Sequence, residues 1–132
     1  MESIYQSMQE FLKKSGIQAN EVGNDRLLFS VNGLNFIFYA NENDPHFLRL
    51  ALPNINKQGV KVDNLEQHIS QLNRNYKVAK IVRDQDGSLL ILADAFIYNI
   101  DNVEPLFVRL MQASKDMIND YRKIENNGNG TI

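Results

Sequence analysis

Residues 72–99 read LNRNYKVAKIVRDQDGSLLILADAFIYN, and this stretch decides the fold. A helix ends in the run Asn73–Tyr76, and a strand follows from Lys77 to Arg83. The turn Asp84-Gln85-Asp86-Gly87 leads into a second strand, Ser88 to Phe96, after which a long helix begins. Alternation sets Val78, Lys80 and Val82 on one face of the first strand, and Ala79 and Ile81 on the other. The run Leu89-Leu90-Ile91-Leu92 is apolar on both faces, which places the second strand inside a sheet. The stretch supplies no nucleophile, no metal cluster and no phosphate loop.

Working back toward the N-terminus, three strands and a helix are legible. Arg26–Asn32 and Leu34–Ala40 meet at Asn32-Gly33, a pair that tolerates the positive φ of a tight hairpin turn. Leu34, Phe36, Phe38 and Ala40 oppose Ile37 and Tyr39. A third strand, Phe47–Leu52, follows the loop Asn41–Pro45 and sets Leu48, Leu50 and Leu52 against Phe47, Arg49 and Ala51. One face is strongly apolar and the other half apolar, less cleanly alternating than a sheet wet on its second face. A weaker strand is expected at Ile17–Glu21. Before it, Ile4, Tyr5, Met8, Phe11 and Leu12 recur at helical spacing, Ser3 and Gln6 form a capping box, and Gly16 ends the helix.

Beyond Leu52, Pro53–Lys61 reads as a loop, and a short helix is predicted over Asp63–Asn75 with Asp63 and Glu66 as a second capping pair. The last helix is expected to start at an Asn102 cap with Pro105 in its first turn, where the missing N–H breaks no helical bond. Val103, Leu106, Phe107, Leu110, Met111, Met117, Ile118 and Tyr121 give it a wide apolar face. The reading is α+β: an antiparallel sheet of about five strands packed with three helices, in the order α-β-β-β-α-β-β-α. Residues 1–125 are expected to form one domain, and residues 126–132 a disordered tail with nothing to bury.

Composition removes several function classes. The 132 residues are 43% hydrophobic and 23% charged, ordinary for a soluble domain. The net charge of -2 comes from intermixed acids and bases, which gives no electrostatic case for nucleic acid or an anionic membrane. There are no cysteines, hence neither disulfides nor thiolate metal sites. No apolar run approaches the ~18 residues of a membrane span. The amphipathic N-terminus lacks a signal peptide's apolar core, so a cytoplasmic protein is expected.

The order of elements resembles the YbjN family of bacterial proteins, whose domain is similar to the class I type III secretion chaperones. The resemblance rests on Asp44-Pro45-His46-Phe47-Leu48-Arg49-Leu50, on Asn73 with Tyr76-Lys77-Val78-Ala79-Lys80, on Asp86-Gly87, and on Leu89 to Phe96. It spans Met1 to Tyr121 and concerns fold-determining positions, so it carries over no site residue. YbjN-like proteins are labelled sensory transduction regulators, a label that names no chemistry. The chaperones they resemble are commonly dimers that bind extended segments of other proteins.

Candidate chemistry is thin. His46 and His68, with Glu66, make a metal site only if distant positions converge, and surface or edge-packed histidines are the simpler reading. Asp84–Gly87 resembles a fragment of a calcium loop but lacks the distal glutamate, so it reads as a hairpin turn. Lys77, Lys80 and Arg83 do not form one stripe, because Lys77 and Lys80 point to opposite faces. No Ser–His–acid arrangement and no nucleotide-binding loop is present. The expectation is therefore a non-enzymatic protein-interaction module, chaperone-like or regulatory, with Ile37, Tyr39, Phe47, Val78 and Ile81 at the contact surface and no cofactor or metal. A protein partner or peptide segment is expected, together with a homodimer through the sheet face bearing Ile37 and Tyr39 or through the hairpin Lys77–Phe96. The alternative is a small-ligand binder or enzyme, with Tyr39, Tyr76, Tyr98, His46 and Arg49 around a cleft between sheet and long helix.

Overall fold

The computed structural model of the chain describes residues 3–41 and 43–130, with side chains as far as Asn127. In chain order its elements are α1 (Ile4–Lys14), β1 (Ala19–Val22), β2 (Arg26–Val31), β3 (Leu34–Asn41), β4 (Asp44–Leu52), α2 (Leu65–Asn75), β5 (Ala79–Arg83), β6 (Leu89–Phe96) and α3 (Val103–Gly130), with a 3₁₀ turn at Ile100–Asn102 leading into α3. The strands form one antiparallel sheet in the order β1-β2-β3-β4-β6-β5. Six strands stand where about five were expected, because the weak segment pairs with β2 along its whole length, from Ala19↔Phe29 to Val22↔Arg26. β6 lies inside the sheet between β4 and β5, as its doubly apolar sequence requires.

Local signals account for most boundaries. Ser3 caps α1 through a reciprocal box, Gln6 N to Ser3 Oγ and Ser3 N to Gln6 Oε1, both 3.1 Å. Asn32 and Gly33 both take positive φ, 53° and 80°, the geometry that lets two residues join twisted strands. The Asp84–Gly87 turn is held by Asp86, whose carboxylate accepts from the Ser88 amide and hydroxyl; those bonds lower its pKa. Three local expectations fail. β4 starts at Asp44, taking in Pro45 and His46, because the backbone of His46 still pairs with Ile97 (2.7 Å). α2 starts at Leu65 after a left-handed Asn64 that makes no side-chain cap bond, so Asp63 and Glu66 form no capping pair. The turn entering α3 is capped by Asn99, whose side chain accepts from Asp101 N, and not by Asn102.

One face of the sheet carries the core. Leu27, Phe38, Leu50, Ala93 and Ala79 form one cross-strand row on it, and Leu52, Ile91 and Ile81 part of another; all are buried. α1 and α3 lie against this face and against each other. Phe107 of α3 is wedged between them, edge-on to Phe38 (5.6 Å) and tilted against Phe11 (5.9 Å). Each such side chain contributes about 1.5–3 kcal/mol on leaving water, so this single layer supplies most of the driving force. Tyr121 closes the far end, donating to Glu125 Oε2 (3.0 Å), which also accepts the Lys57 amide (2.8 Å) and pins the Pro53–Asn64 loop to α3.

The β5 edge is covered by α2. The Asn73 side chain donates to Ile81 O (2.9 Å) and accepts from Ile81 N (2.7 Å), satisfying edge backbone that would otherwise need another strand. Lys80 turns back to the carbonyls of Asn73 and Tyr76, the negative end of α2. α3 continues through Asn126 to Gly130, where the sequence predicted the tail to begin; Thr131 and Ile132 lie outside the described residues.

Candidate protein-interaction face

The opposite face of the sheet is where the candidate residues fall. Cross-strand register arranges it in rows. The first is apolar: Leu28, Ile37, Ala51 and Leu92, ending at the folded-back Lys80. The next is polar: Arg26, Tyr39, Arg49 and Asp94. A third, at the end of β4 and β6, pairs Phe47 with Phe96. Leu90 and Val82 extend the apolar surface on the other side of the first row.

The outer face remains open to solvent over much of this area. Phe96 is 66% exposed and Tyr98, just beyond β6, 77%; Leu28, Val78 and Val82 are exposed as well. Ala51 is buried even here, a small side chain in mid-sheet flanked by Ile37 and Leu92. The aromatic rings lean on each other, Phe47 against Phe96 at 5.5 Å and His46 against Tyr98 at 4.4 Å. His46 Nδ1 also lies 3.1 Å from the Ile97 carbonyl.

The polar row is organised by one ion pair. Arg49 donates twice to Asp94, Nε to Oδ1 at 2.7 Å and Nη2 to Oδ2 at 2.9 Å, and its guanidinium stands 5.8 Å from the centre of the Phe47 ring. The hydrogen bond to Asp94 raises the Arg49 pKa above its ordinary value, outweighing partial desolvation. Both partners are partly exposed, so the pair adds little to stability by itself. Its fork geometry fixes two charges of opposite sign side by side on neighbouring strands.

Four of the five expected contact residues lie on or beside this surface: Ile37, Tyr39 and Phe47 within it, and exposed Val78 just before β5. Ile81 does not. It is 2% exposed, on the core side opposite Ile91, because strand alternation carries it away from Val78. The surface also carries Leu28, Val82, Phe96, Tyr98 and the Arg49–Asp94 pair, which were not among those five. The signal for Phe96 was its parity with Leu90, Leu92 and Asp94, opposite Leu89, Ile91, Ala93 and Ala95.

The polar groups named for a ligand cleft do not converge. Tyr39 and Arg49 lie on the outer face, His46 and Tyr98 at the β4–β6 end, and Tyr76 bonds Asp120 of α3 at 2.6 Å. A cleft of about 170 Å³ between the β2–β3 hairpin and α3 is lined by Val31, Leu34, Phe36, Val108 and Met111, among others, and by none of those five. His68 is exposed on α2, and among the described residues no three His, Cys, Asp or Glu side chains gather as metal ligands. No helix among them is long and apolar enough to cross a membrane.

This α+β arrangement of a six-stranded antiparallel sheet and three helices defines a class of architecture that is also found among solved structures. A chain in the structure of the heterodimeric complex ExoU–SpcU, from the type III secretion system of Pseudomonas aeruginosa, superposes with a TM-score of 0.53 at 16% identity. The match covers 83% of this chain and 93% of that one. The likeness establishes the type III secretion chaperone-like fold. No protein-family model and no curated protein matches the chain.

Proposed function

We propose that this chain is a non-enzymatic protein-interaction module, chaperone-like or regulatory, whose outer sheet face takes an extended segment of a partner protein. The carrying observation is the open face itself, an apolar row and an aromatic row with a polar row between them. Along the strands the rows are about 6.6 Å apart, the repeat at which every second side chain of an extended peptide recurs. A segment laid along β4 would set apolar side chains on the first and third rows and a polar one over Arg49–Asp94. The fold supports the reading, since the solved chain it resembles belongs to a complex of two different proteins. So does the resemblance to the YbjN family, and the expected place of action is the cytoplasm. A homodimer is the second part of the proposal.

The test compares captures from native cell extract by the wild-type chain and by a Phe47→Ser/Phe96→Asp variant. A specific partner held by the first and lost by the second, with unchanged circular dichroism, is the expected result. The same bulk of abundant proteins from both would overturn the proposal.

A further inference from the structure

The cleft of about 170 Å³ between α3 and the β2–β3 hairpin lies on the core side of the sheet, away from the outer face. α3 packs on β4, β5, β6 and α1, and a gap remains where it passes the hairpin. The deepest lining residues are Leu34 and Phe36, both buried, and Phe36 is fixed by stacking on Phe29 at 5.4 Å. From α3 come Val108, Met111, Gln112 and Lys115, spaced i, i+3, i+4 and i+7, so a single stripe of the helix faces the cleft. Val108 is 50% exposed, leaving apolar surface open at the mouth. Half-buried Lys115 is the one charged lining residue. Its neighbours three and four positions away are Met111, Gln112, Ile118 and Asn119, none of them acidic. Among the described residues no carboxylate lies within ion-pair distance of it, and adjacent Asp116 instead accepts from Gln112 Nε2 at 2.8 Å.

We propose that this cleft binds a small apolar monocarboxylate, a single-ring or short branched acid, with its hydrocarbon against Leu34, Phe36, Val108 and Met111 and its carboxylate paired with Lys115. Size sets the first limit. An apolar cavity of about 150 Å³ accommodates one benzene ring, so this cleft holds one ring with a short stem. Lining chemistry sets the second. A sugar or nucleotide needs many polar partners, and besides Lys115 only the Asn32 and Gln112 side chains are polar here. A cation would meet Lys115 as a like charge, and a neutral hydrocarbon would leave that ammonium without a partner. Met111, unbranched and polarizable, adapts to the edge of a ring, while Leu34 and Phe36 are held by the sheet. The bound acid would bridge the β2–β3 hairpin and α3. The site shares no residue with the outer face, so it goes beyond the proposed protein-interaction role and stands or falls apart from it.

Amide chemical shifts of the nitrogen-15-labelled chain, titrated with 3-phenylpropionate, decide it. Shifts should concentrate at Val31–Phe36 and Val108–Lys115 and saturate with a Kd of roughly 0.1–1 mM, the range for so small a ligand in a half-open site. 3-Phenylpropan-1-ol, with the same ring and stem but no charge, should bind roughly fivefold more weakly or worse. Lys115→Met keeps the stem and removes the charge. It should bring the acid down to the affinity of the alcohol and leave the alcohol unchanged, a split that a merely structural lysine would not produce. Val108→Trp, at a half-exposed position, should fill the cleft and abolish both, with unchanged circular dichroism. Absence of a saturable shift by about 10 mM acid, or equal affinity for acid and alcohol, overturns the proposal. So does a short peptide ending in Phe with a free carboxylate, if it binds roughly tenfold tighter than the acid, since the occupant would then be the end of another protein chain.

Discussion

The two faces of this sheet are built from the same strands and carry different side chains. β4 shows both within nine residues: Leu48, Leu50 and Leu52 go inward to a core closed by α1 and α3, while Phe47, Arg49 and Ala51 go outward. Inward, large apolar side chains meet a ring from another layer, as Phe38 meets Phe107. Outward, the Phe47 and Phe96 rings meet each other within the sheet, and an ion pair sits where a core would need a hydrocarbon. Apolar content alone therefore does not mark a core. What marks it is a second layer of the same chain laid over the first.

The largest expected contrast is between one phenylalanine on each face. Phe38→Ala removes a fully buried ring from contact with Phe107 and should cost about 3–5 kcal/mol, lowering the thermal midpoint by about 10 °C or more. Phe96→Ser, at sub-micromolar protein where copies are apart, should move stability by no more than about 0.5 kcal/mol. Equal losses in the two would erase the distinction between the faces.

A second contrast concerns polar groups. Glu125 is only 6% exposed and accepts from both Tyr121 and the Lys57 amide, so Glu125→Ala strands two donors and should cost about 1–3 kcal/mol in urea unfolding. Asp94→Ala on the outer face loses a solvent-screened pair and should cost under about 1 kcal/mol. A larger loss for Asp94→Ala would mean that its pair is shielded from water in the folded chain.

Alkaline pH probes the core side separately. Burial, then hydrogen bonds to Asp120 and Glu125, raise the pKa of Tyr76 and Tyr121. The folded chain thus holds these protons more tightly than the unfolded one. The stability they contribute is whole below about pH 10, the unfolded tyrosine value, and is lost as pH rises from there toward the folded values. Tyr76→Phe should flatten part of that loss in denaturant midpoints taken between pH 9 and 11. A modest loss is expected from Ser3→Ala, about 1 kcal/mol through the lost α1 cap, with no change in association.

Much of the inner half was legible because its code is periodic. The alternation in β3 and β4, the Asn32-Gly33 turn and the doubly apolar β6 each state a local rule that tertiary packing obeys. What failed was decided at a distance. His46 belongs to β4 because Ile97 pairs with it, and Asn99 displaces Asn102 as cap because a 3₁₀ turn intervenes. On the outer face Ile37, Tyr39 and Phe47 were readable from single strands, but the Arg49–Asp94 pair spans 45 positions and exists only through the β4–β6 register. Ile81, expected at the contact surface, faces the core, opposite in parity to exposed Val82.

The central claim is that one face folds the chain and the other serves association. Phe96→Asp tests it with two readings on one variant: thermal midpoint at sub-micromolar protein, and light-scattering mass at tens of micromolar. The account predicts a midpoint within about 2 °C of wild-type, as for other surface changes, and a mass of 15.2 kDa where the wild-type shows twice that. A midpoint depressed by about 10 °C or more, with the wild-type mass retained, would contradict it and make the outer face part of the chain's own core.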